Sequence, residues 1–311
     1  MYPSVCVYPS ALLYSYCSAV ILSPTTMPPS PRHLLVAAII AAFTARPLFA
    51  ALAMPKKIEN VVFSIAMEDE ARPFVQSLGL APQAGFFPKA APFVAYRGKY
   101  KGCTVTVVTS GKDSVYGEKD GTGVDNVGTV PAALAAFLAM EKLGGEGGAD
   151  LLVNAGTCGG FGKMGAGIGD VYLTTASANH DRRIPLGPAF EAYGTGSVPT
   201  TPVPGLLEAL SPAAKPGVCT TGNSLDATPT DLEQMAANGA HVKDMEAASV
   251  GWACELHGVP HFGVKVVTDI VDGDRPTQEE FLENLGTAAS TLQDALPKVI
   301  DHVCGKGHDE L

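Results

Sequence analysis

Two carboxylates in the C-terminal third of the chain stand where chemistry is commonly done. Glu246 lies in Lys243-Asp244-Met245-Glu246-Ala247-Ala248, where a loop is expected to open into a helix. Asp269 ends the apolar run Val264-Lys265-Val266-Val267-Thr268-Asp269. In an α/β protein these two places offer a ligand carboxylates that are buried yet reachable. A third acidic cluster, Glu68-Asp69-Glu70, follows the first strong apolar segment. Three acids so placed suit chemistry on a sugar or a base. Each also has a plainer reading. Acids at a helix N-terminus complement its dipole by at most about 1 kcal/mol each. Asp269 could cap a turn, and Glu246 could simply begin its helix.

The elements that must position these acids are legible in the pattern. Ile58–Ala66 reads as an apolar, β-branched strand, and Asp69–Leu80 as a helix closed by Gly79. Phe93–Arg97 and Thr104–Thr109 read as strands joined across Gly98–Gly102. Ser110–Gly123 reads as a polar, glycine-rich loop. Val127–Leu143 has helical spacing, with Pro131 near its start. Leu151–Asn154 and Val171–Thr175 are expected strands, and Asn179–Thr201 an expected long loop of the length that carries function. Leu206–Leu210 is expected to be helical and Val218–Thr221 a strand. Helices are expected at Pro229–Asn238 and Ala247–His257, then a strand at Phe262–Thr268. Thr277–Val303 predicts a long amphipathic helix, broken or kinked near Pro297. Strands alternate with helices, which predicts one α/β domain around a parallel or mixed sheet.

Composition narrows the function classes. The 311 residues are 46% hydrophobic with a net charge of −10, enough for a full core and without the basic face of a nucleic-acid binder. Seven cysteines stand far apart with no CxxC pair, which argues against a zinc site. Their odd count and apolar neighbours favour free thiols in a reducing compartment. Residues 1–53 contain no Asp or Glu and carry the apolar stretch Leu34–Phe43, interrupted by Arg46 and Pro47. This reads as a targeting leader or an over-extended start rather than a membrane span, with the folded domain at 54–311. The chain ends His308-Asp309-Glu310-Leu311, the form of an endoplasmic-reticulum retrieval address. The cysteine pattern favours the cytoplasm; a leader plus that tail is the secretory alternative.

Asn154-Ala155-Gly156-Thr157-Cys158-Gly159-Gly160-Phe161-Gly162 follows an expected strand. Gly160, Gly162 and Gly165 formally spell G-x-G-x-x-G, but a strand and not a helix is expected after them, so a dinucleotide site is rejected. A ligand-lining loop is favoured over a merely tight turn. No G-x-x-x-x-G-K-[ST] segment exists, which excludes a P-loop.

Six ordered segments resemble the 5′-methylthioadenosine/S-adenosylhomocysteine nucleosidases, in particular their plant branch. They are Ala66-Met67-Glu68-Asp69-Glu70-Ala71, Val153–Gly160, Asn179-His180-Asp181-Arg182-Arg183-Ile184-Pro185, Thr221-Gly222-Asn223-Ser224-Leu225-Asp226, Lys243–Ala248 and Val267–Asp274. The resemblance implies a single three-layer α/β domain of the nucleoside phosphorylase kind, with a central mixed sheet flanked by helices, assembled as a homodimer. It implies hydrolysis of the N-glycosidic bond of 5′-methylthioadenosine to adenine and 5-methylthioribose, and leaves S-adenosylhomocysteine open as a second substrate; no cofactor and no metal are expected. By the same resemblance, Glu70 is the base that activates water and Asp269 the acid that protonates the purine. Glu246 holds the ribose hydroxyls with Met245 beside the sugar. Thr157 lies near the water and ribose, Leu225 against the purine, and Asp226 supplies backbone contacts to the base.

Those roles agree with elementary chemistry. Cleaving a glycosidic bond builds positive charge on the ribose, which an acid on the leaving group and a base on the water both serve. Tyr116–Gly123 resembles an insertion relative to that family, at the pocket rim or a dimer contact. A purine nucleoside phosphorylase, which would need a phosphate site, and a non-enzymatic storage protein of the same fold are the competing readings.

Overall fold

The acids are held by a mixed sheet whose strands are paired in an order very different from their order in the chain. The computed structural model describes residues 57–117, 123–145, 147–210 and 214–311. The expected leader over residues 1–53 and the centre of the expected insertion lie outside them. The chain runs β1 (Asn60–Ile65), α1 (Glu68–Ser77), β2 (Ala81–Pro82), β3 (Val94–Tyr100), β4 (Cys103–Thr109), β5 (Lys112–Gly117), β6 (Gly123–Asp125), α2 (Thr129–Gly144) and β7 (Leu151–Gly160). It continues β8 (Val171–Asn179), α3 (Pro188–Thr195), β9 (Val198–Pro199), α4 (Pro204–Ala209), β10 (Ala214–Thr221), α5 (Pro229–Ala237), β11 (Ala240–Asp244), α6 (Ala247–His257), β12 (His261–Ile270) and α7 (Thr277–Val303).

The sheet order is β11-β10-β8-β12-β7-β1-β4-β3-β2, with β9 beside β8. β1 is parallel to both neighbours, β4 and β7, so both its faces are covered and it is apolar almost throughout. One core lies where α7, α1 and α4 meet the sheet, around Phe63, Phe74, Leu206, Leu292 and Leu296. A second lies under α2 and α6, around Val62, Leu152, Met140 and Val250. The result is the three-layer, mixed-sheet α/β architecture expected.

Several local expectations change. Ser110–Gly123 is not all loop: Lys112–Gly117 pairs with Gly123–Asp125 as a two-stranded ribbon. The long loop after β8 contains α3 and β9. Ala240–Asp244, expected as loop, is a strand, and α7 runs unbroken through Pro297. The glycine segment after Asn154 is not a loop either. It continues β7 to Gly160, and Gly159 and Gly160 pair antiparallel with Lys243 and Val242 of β11. That pairing closes β7, β12, β8, β10 and β11 into a ring. Glycine serves the crowding there: a Cβ at Gly159 would lie 2.7 Å from Asp269 Oδ2, and one at Gly160 2.7 Å from Ala166 Cβ.

The expectation of free thiols throughout is also corrected. Cys103 and Cys304 form a disulfide, joining the start of β4 to the residue that ends α7. Their separation of 201 residues gave no local sign of it. Cys158, Cys219 and Cys254 are free and buried, while Cys6 and Cys17 lie outside the described residues. Residues 308–311 fold back on the body: Leu311 is 4% exposed in the core and its carbonyl accepts from the Gly205 N–H. Among the described residues no helix is long and apolar enough to cross a membrane.

Candidate active site

The first turn of α1 separates the three clustered acids, because successive residues point about 100° apart around a helix. Glu68 accepts bonds from the Tyr96 and Thr109 hydroxyls. Asp69 is exposed and pairs with Arg72 at 3.0 Å. Glu70 turns inward and is 5% exposed. Its Oε1 accepts from the Thr157 N–H at 3.0 Å and the Thr157 hydroxyl at 2.7 Å. Burial raises the Glu70 carboxyl above its ordinary value, and the Thr157 bonds and the Lys265 charge oppose that rise.

Asp269 reaches the same space from β12. Val267 pairs with Cys158 and Asp269 with Gly159, so Thr268 is an extra residue in a bulge. A bulge re-aims the side chains that follow it. Asp269 Oδ1 accepts from the Thr268 hydroxyl at 2.8 Å. Burial raises its carboxyl, and Glu280 adds to the rise; Thr268 and Lys243 oppose it.

Glu246 caps α6 and accepts the Gly128 N–H at 2.9 Å. Burial, reinforced by the Asp244 charge, pushes its carboxyl up to about 7. Asp244 is occupied structurally. It pairs with Lys265 at 2.7 Å and accepts from Thr221 Oγ1 and the Ala247 N–H at 2.6 and 2.8 Å. Burial opposes its charge, yet Lys265 and these bonds hold it below the ordinary carboxylate range.

Glu70, Thr157, Leu225, Met245, Glu246 and Asp269 together line one cavity of about 360 Å³. Asp226, the remaining expected residue, is exposed and is not on this wall. Carboxylates on a low-dielectric wall, with both raised and restrained proton affinities, can exchange protons with a nucleoside and stabilise a cationic sugar.

A sequence profile of the Phosphorylase superfamily matches residues 60–301. The chain is 44% identical over 255 residues to the 5′-methylthioadenosine/S-adenosylhomocysteine nucleosidase of Arabidopsis thaliana, covering 81% of this chain and 94% of that protein. The chain belongs to the 5′-methylthioadenosine/S-adenosylhomocysteine nucleosidases. A second Arabidopsis thaliana relative, a 5′-methylthioadenosine nucleosidase, is 41% identical over 82% of this chain and 91% of its own length. A crystal structure of an MTA/SAH nucleosidase superposes with a TM-score of 0.76 at 42% identity, covering 82% of this chain and all of that one.

Seen as a nucleosidase site, the cavity has wall residues that sequence reasoning passed over. Asp125, between the expected loop Ser110–Gly123 and the expected helix from Val127, accepts from Lys112 Nζ at 2.7 Å and from the Glu68 N–H at 3.2 Å. Val124 and Val127 flank it, and Phe281 enters from the first turns of α7. The signal for Phe281 was weak: one more apolar residue in an amphipathic helix. Lys243 opens the segment Lys243–Ala248, and its charge alone does not announce a place in the site. It is 5% exposed on the wall and donates to the carbonyls of Ser224 and Leu225 at 2.8 and 2.6 Å.

Proposed function

We propose that residues 54–311 hydrolyse the N-glycosidic bond of 5′-methylthioadenosine to adenine and 5-methylthioribose, a step of methionine salvage. The observation that carries this reading is the meeting of Glu70, Glu246 and Asp269 on one cavity, each in a different electrostatic setting. Glu70, whose carboxylate form the two Thr157 bonds favour against burial, takes a proton from water as the water oxygen bonds to the anomeric carbon. The carbon–nitrogen bond breaks with its electron pair passing to the purine, and Asp269 delivers a proton to the purine nitrogen. Adenine therefore leaves neutral. Glu246 hydrogen-bonds the ribose hydroxyls and Met245 packs beside the sugar. Leu225 lies on the purine.

A phosphorylase would have to draw a phosphate dianion into this space. Among the described lining residues are Glu70, Asp125, Asp244, Glu246 and Asp269, with Lys243 as the cation, and its ammonium already donates to two carbonyls. Such a wall repels a dianion and attracts an oxocarbenium ion. The test is adenine release by the purified protein from 5′-methylthioadenosine and from S-adenosylhomocysteine, with and without phosphate. Release independent of phosphate is expected. Dependence on phosphate turns the reading to a phosphorylase, and no release turns it to a binding or storage protein.

The assembly we propose is a homodimer. α2 packs against α6. Val130 and Leu134 on α2, and Trp252 and Leu256 on α6, are spaced i, i+4 and exposed. A large apolar surface on one helix pair is the mark of an interface. Sedimentation of the protein, and of a Trp252→Glu variant, tests it; a parent that sediments as a monomer would exclude the dimer.

A further inference from the structure

The loop Gly222–Asp226 is tied to the body from two directions. Its first half is bound by neutral donors and a surface acid: the Gly222 N–H donates to the Asp244 carbonyl at 3.1 Å and the Asn223 N–H to Asp181 at 2.7 Å. Asn223 Oδ1 in turn accepts from the Thr129 N–H and hydroxyl at 3.0 and 2.9 Å. Its second half, which carries Leu225 over the cavity, is bound by the ammonium of Lys243.

An ammonium is an expensive group to place there. Desolvation works against a charged lysine that is 5% exposed, and two carbonyls could equally be held by a neutral amide. What a neutral donor would lack is charge. The carboxylates whose charges act on Lys243 are Asp269 first, then Asp226, Asp244 and Asp231, and Lys243 and Asp269 line the same cavity. Asp269 is faced by Lys243 from β11 and by Glu280 from α7, with Thr268 beside it on its own strand. The backbone pairing of Lys243 with Gly159, which itself pairs with Asp269, fixes that neighbourhood.

We propose that Lys243 is a positioning residue for the leaving base: its ammonium holds the Leu225 loop over the purine and places a positive charge facing Asp269. The inference rests on the hydrolase reading, in which Asp269 is the proton donor. When the donor gives up its proton it becomes an anion, and a fixed cation nearby stabilises that product and eases the transfer. The same cation makes the donor a stronger acid, so it lowers the pH at which the donor loses its proton before reaction.

These two effects have opposite signs on a pH profile, which a purely structural role would not reproduce. In the full chain, Lys243→Met is expected to lower the plateau kcat about tenfold or more, while its alkaline limb moves up by about one pH unit. Affinity for adenine, measured by calorimetry, is expected to weaken about tenfold as the loop loses its tie. Lys243→Arg, which keeps the charge and two donors, returns the limb to the parent position. If Lys243→Met does not fold, Lys243→Gln, with a neutral donor, is measured in its place. An alkaline limb that stays put or falls in the neutral variant, or unchanged adenine affinity, overturns the inference. So does a Lys243→Arg limb that matches the neutral variant. A parent protein that releases no adenine overturns instead the reading on which it rests.

Discussion

Thr157 directs two donors at a single oxygen of Glu70, its backbone N–H from 3.0 Å and its hydroxyl from 2.7 Å. The arrangement needs β7 to pass close to α1. Gly156 permits it, since a Cβ there would sit 3.2 Å from Glu70 Oε2. Burial favours the neutral acid and the two bonds favour the carboxylate, so Thr157 decides how far Glu70 can act as a base.

Replacing Thr157 with Val keeps the shape and the backbone donor and removes the hydroxyl. Loss of a bond to the ionised form raises the Glu70 carboxyl further. A base must be ionised, so the acidic limb of kcat/KM moves to higher pH. A hydrogen bond to a charged group is worth about 1.5–3 kcal/mol, which sets the expected loss at tenfold or more near the limb. Activity measured from about pH 4 to about pH 9 reads this directly; a limb in the parent position would remove Thr157 from the control of Glu70.

Asp269→Asn retains the size of the side chain and has no acidic proton. General acid catalysis typically contributes about 10²–10⁴-fold, so turnover is expected to fall by at least that range. Binding of a non-hydrolysable substrate analogue should change little, because the cavity wall keeps its form. Single-turnover adenine release together with analogue affinity separates the two effects. Substantial residual hydrolysis would refute the donor role.

Glu246 gives a stability signature. Its carboxyl lies near 4.5 when unperturbed and about 7 in the fold, so the folded state holds a proton that the unfolded chain has released. Stability from this group is therefore complete below about pH 4.5 and is lost as pH rises through about 7. Glu246→Gln mimics the protonated acid and can still accept the Gly128 N–H. In the unliganded protein the variant should melt above the parent at about pH 8, and the two should converge at about pH 4. Parallel melting curves across that range would show that burial does not perturb Glu246.

What the sequence conveyed and what it withheld divide along one physical line. Asp269 and Glu70 were legible because each sits beside an apolar run whose period announces a strand. β11 was not, because Ala240–Asp244 carries His241, Lys243 and Asp244, and polar residues in a strand read as loop. Their charges are accommodated by partners far along the chain: Lys243 by the Leu225 loop, Asp244 by Lys265. Gly159 and Gly160 read as a loop for a related reason, since the groups that require them small come from β12 and the loop before β8. Five of the six motif segments brought six site residues to one cavity, but nothing in their spacing distinguished Leu225, on the wall, from Asp226, off it.

The Cys103–Cys304 bond was equally invisible, and it closes a loop of 201 residues. Cross-linking so long a loop removes entropy from the unfolded chain, an effect worth about 2–5 kcal/mol. The oxidised protein should therefore melt several degrees above the same protein in dithiothreitol. A Cys103→Ser/Cys304→Ser variant should melt with the reduced form and ignore the reductant. Equal melting of oxidised and reduced parent would mean that the bond adds no stability.

The buried pair Lys265–Asp244 makes the sharpest energetic claim. Their side chains are 1% and 0% exposed and 2.7 Å apart, with Asp244 on the same cavity wall as Glu70 and Glu246. Removing one partner of such a pair leaves a charge in a medium that solvates it poorly, at a cost of about 3–5 kcal/mol. Lys265→Met should show that cost in urea unfolding at neutral pH. Lys265→Met combined with Asp244→Asn should recover much of it, because Asn can still meet Thr221 and the Ala247 N–H without a charge to bury. The double variant nevertheless loses the cation that opposes the rise of Glu70, so its acidic activity limb should sit above the parent's even where its stability is restored. Additive destabilisation in the double variant would show that the two side chains do not stabilise each other, and that Lys265 earns its burial in some other way.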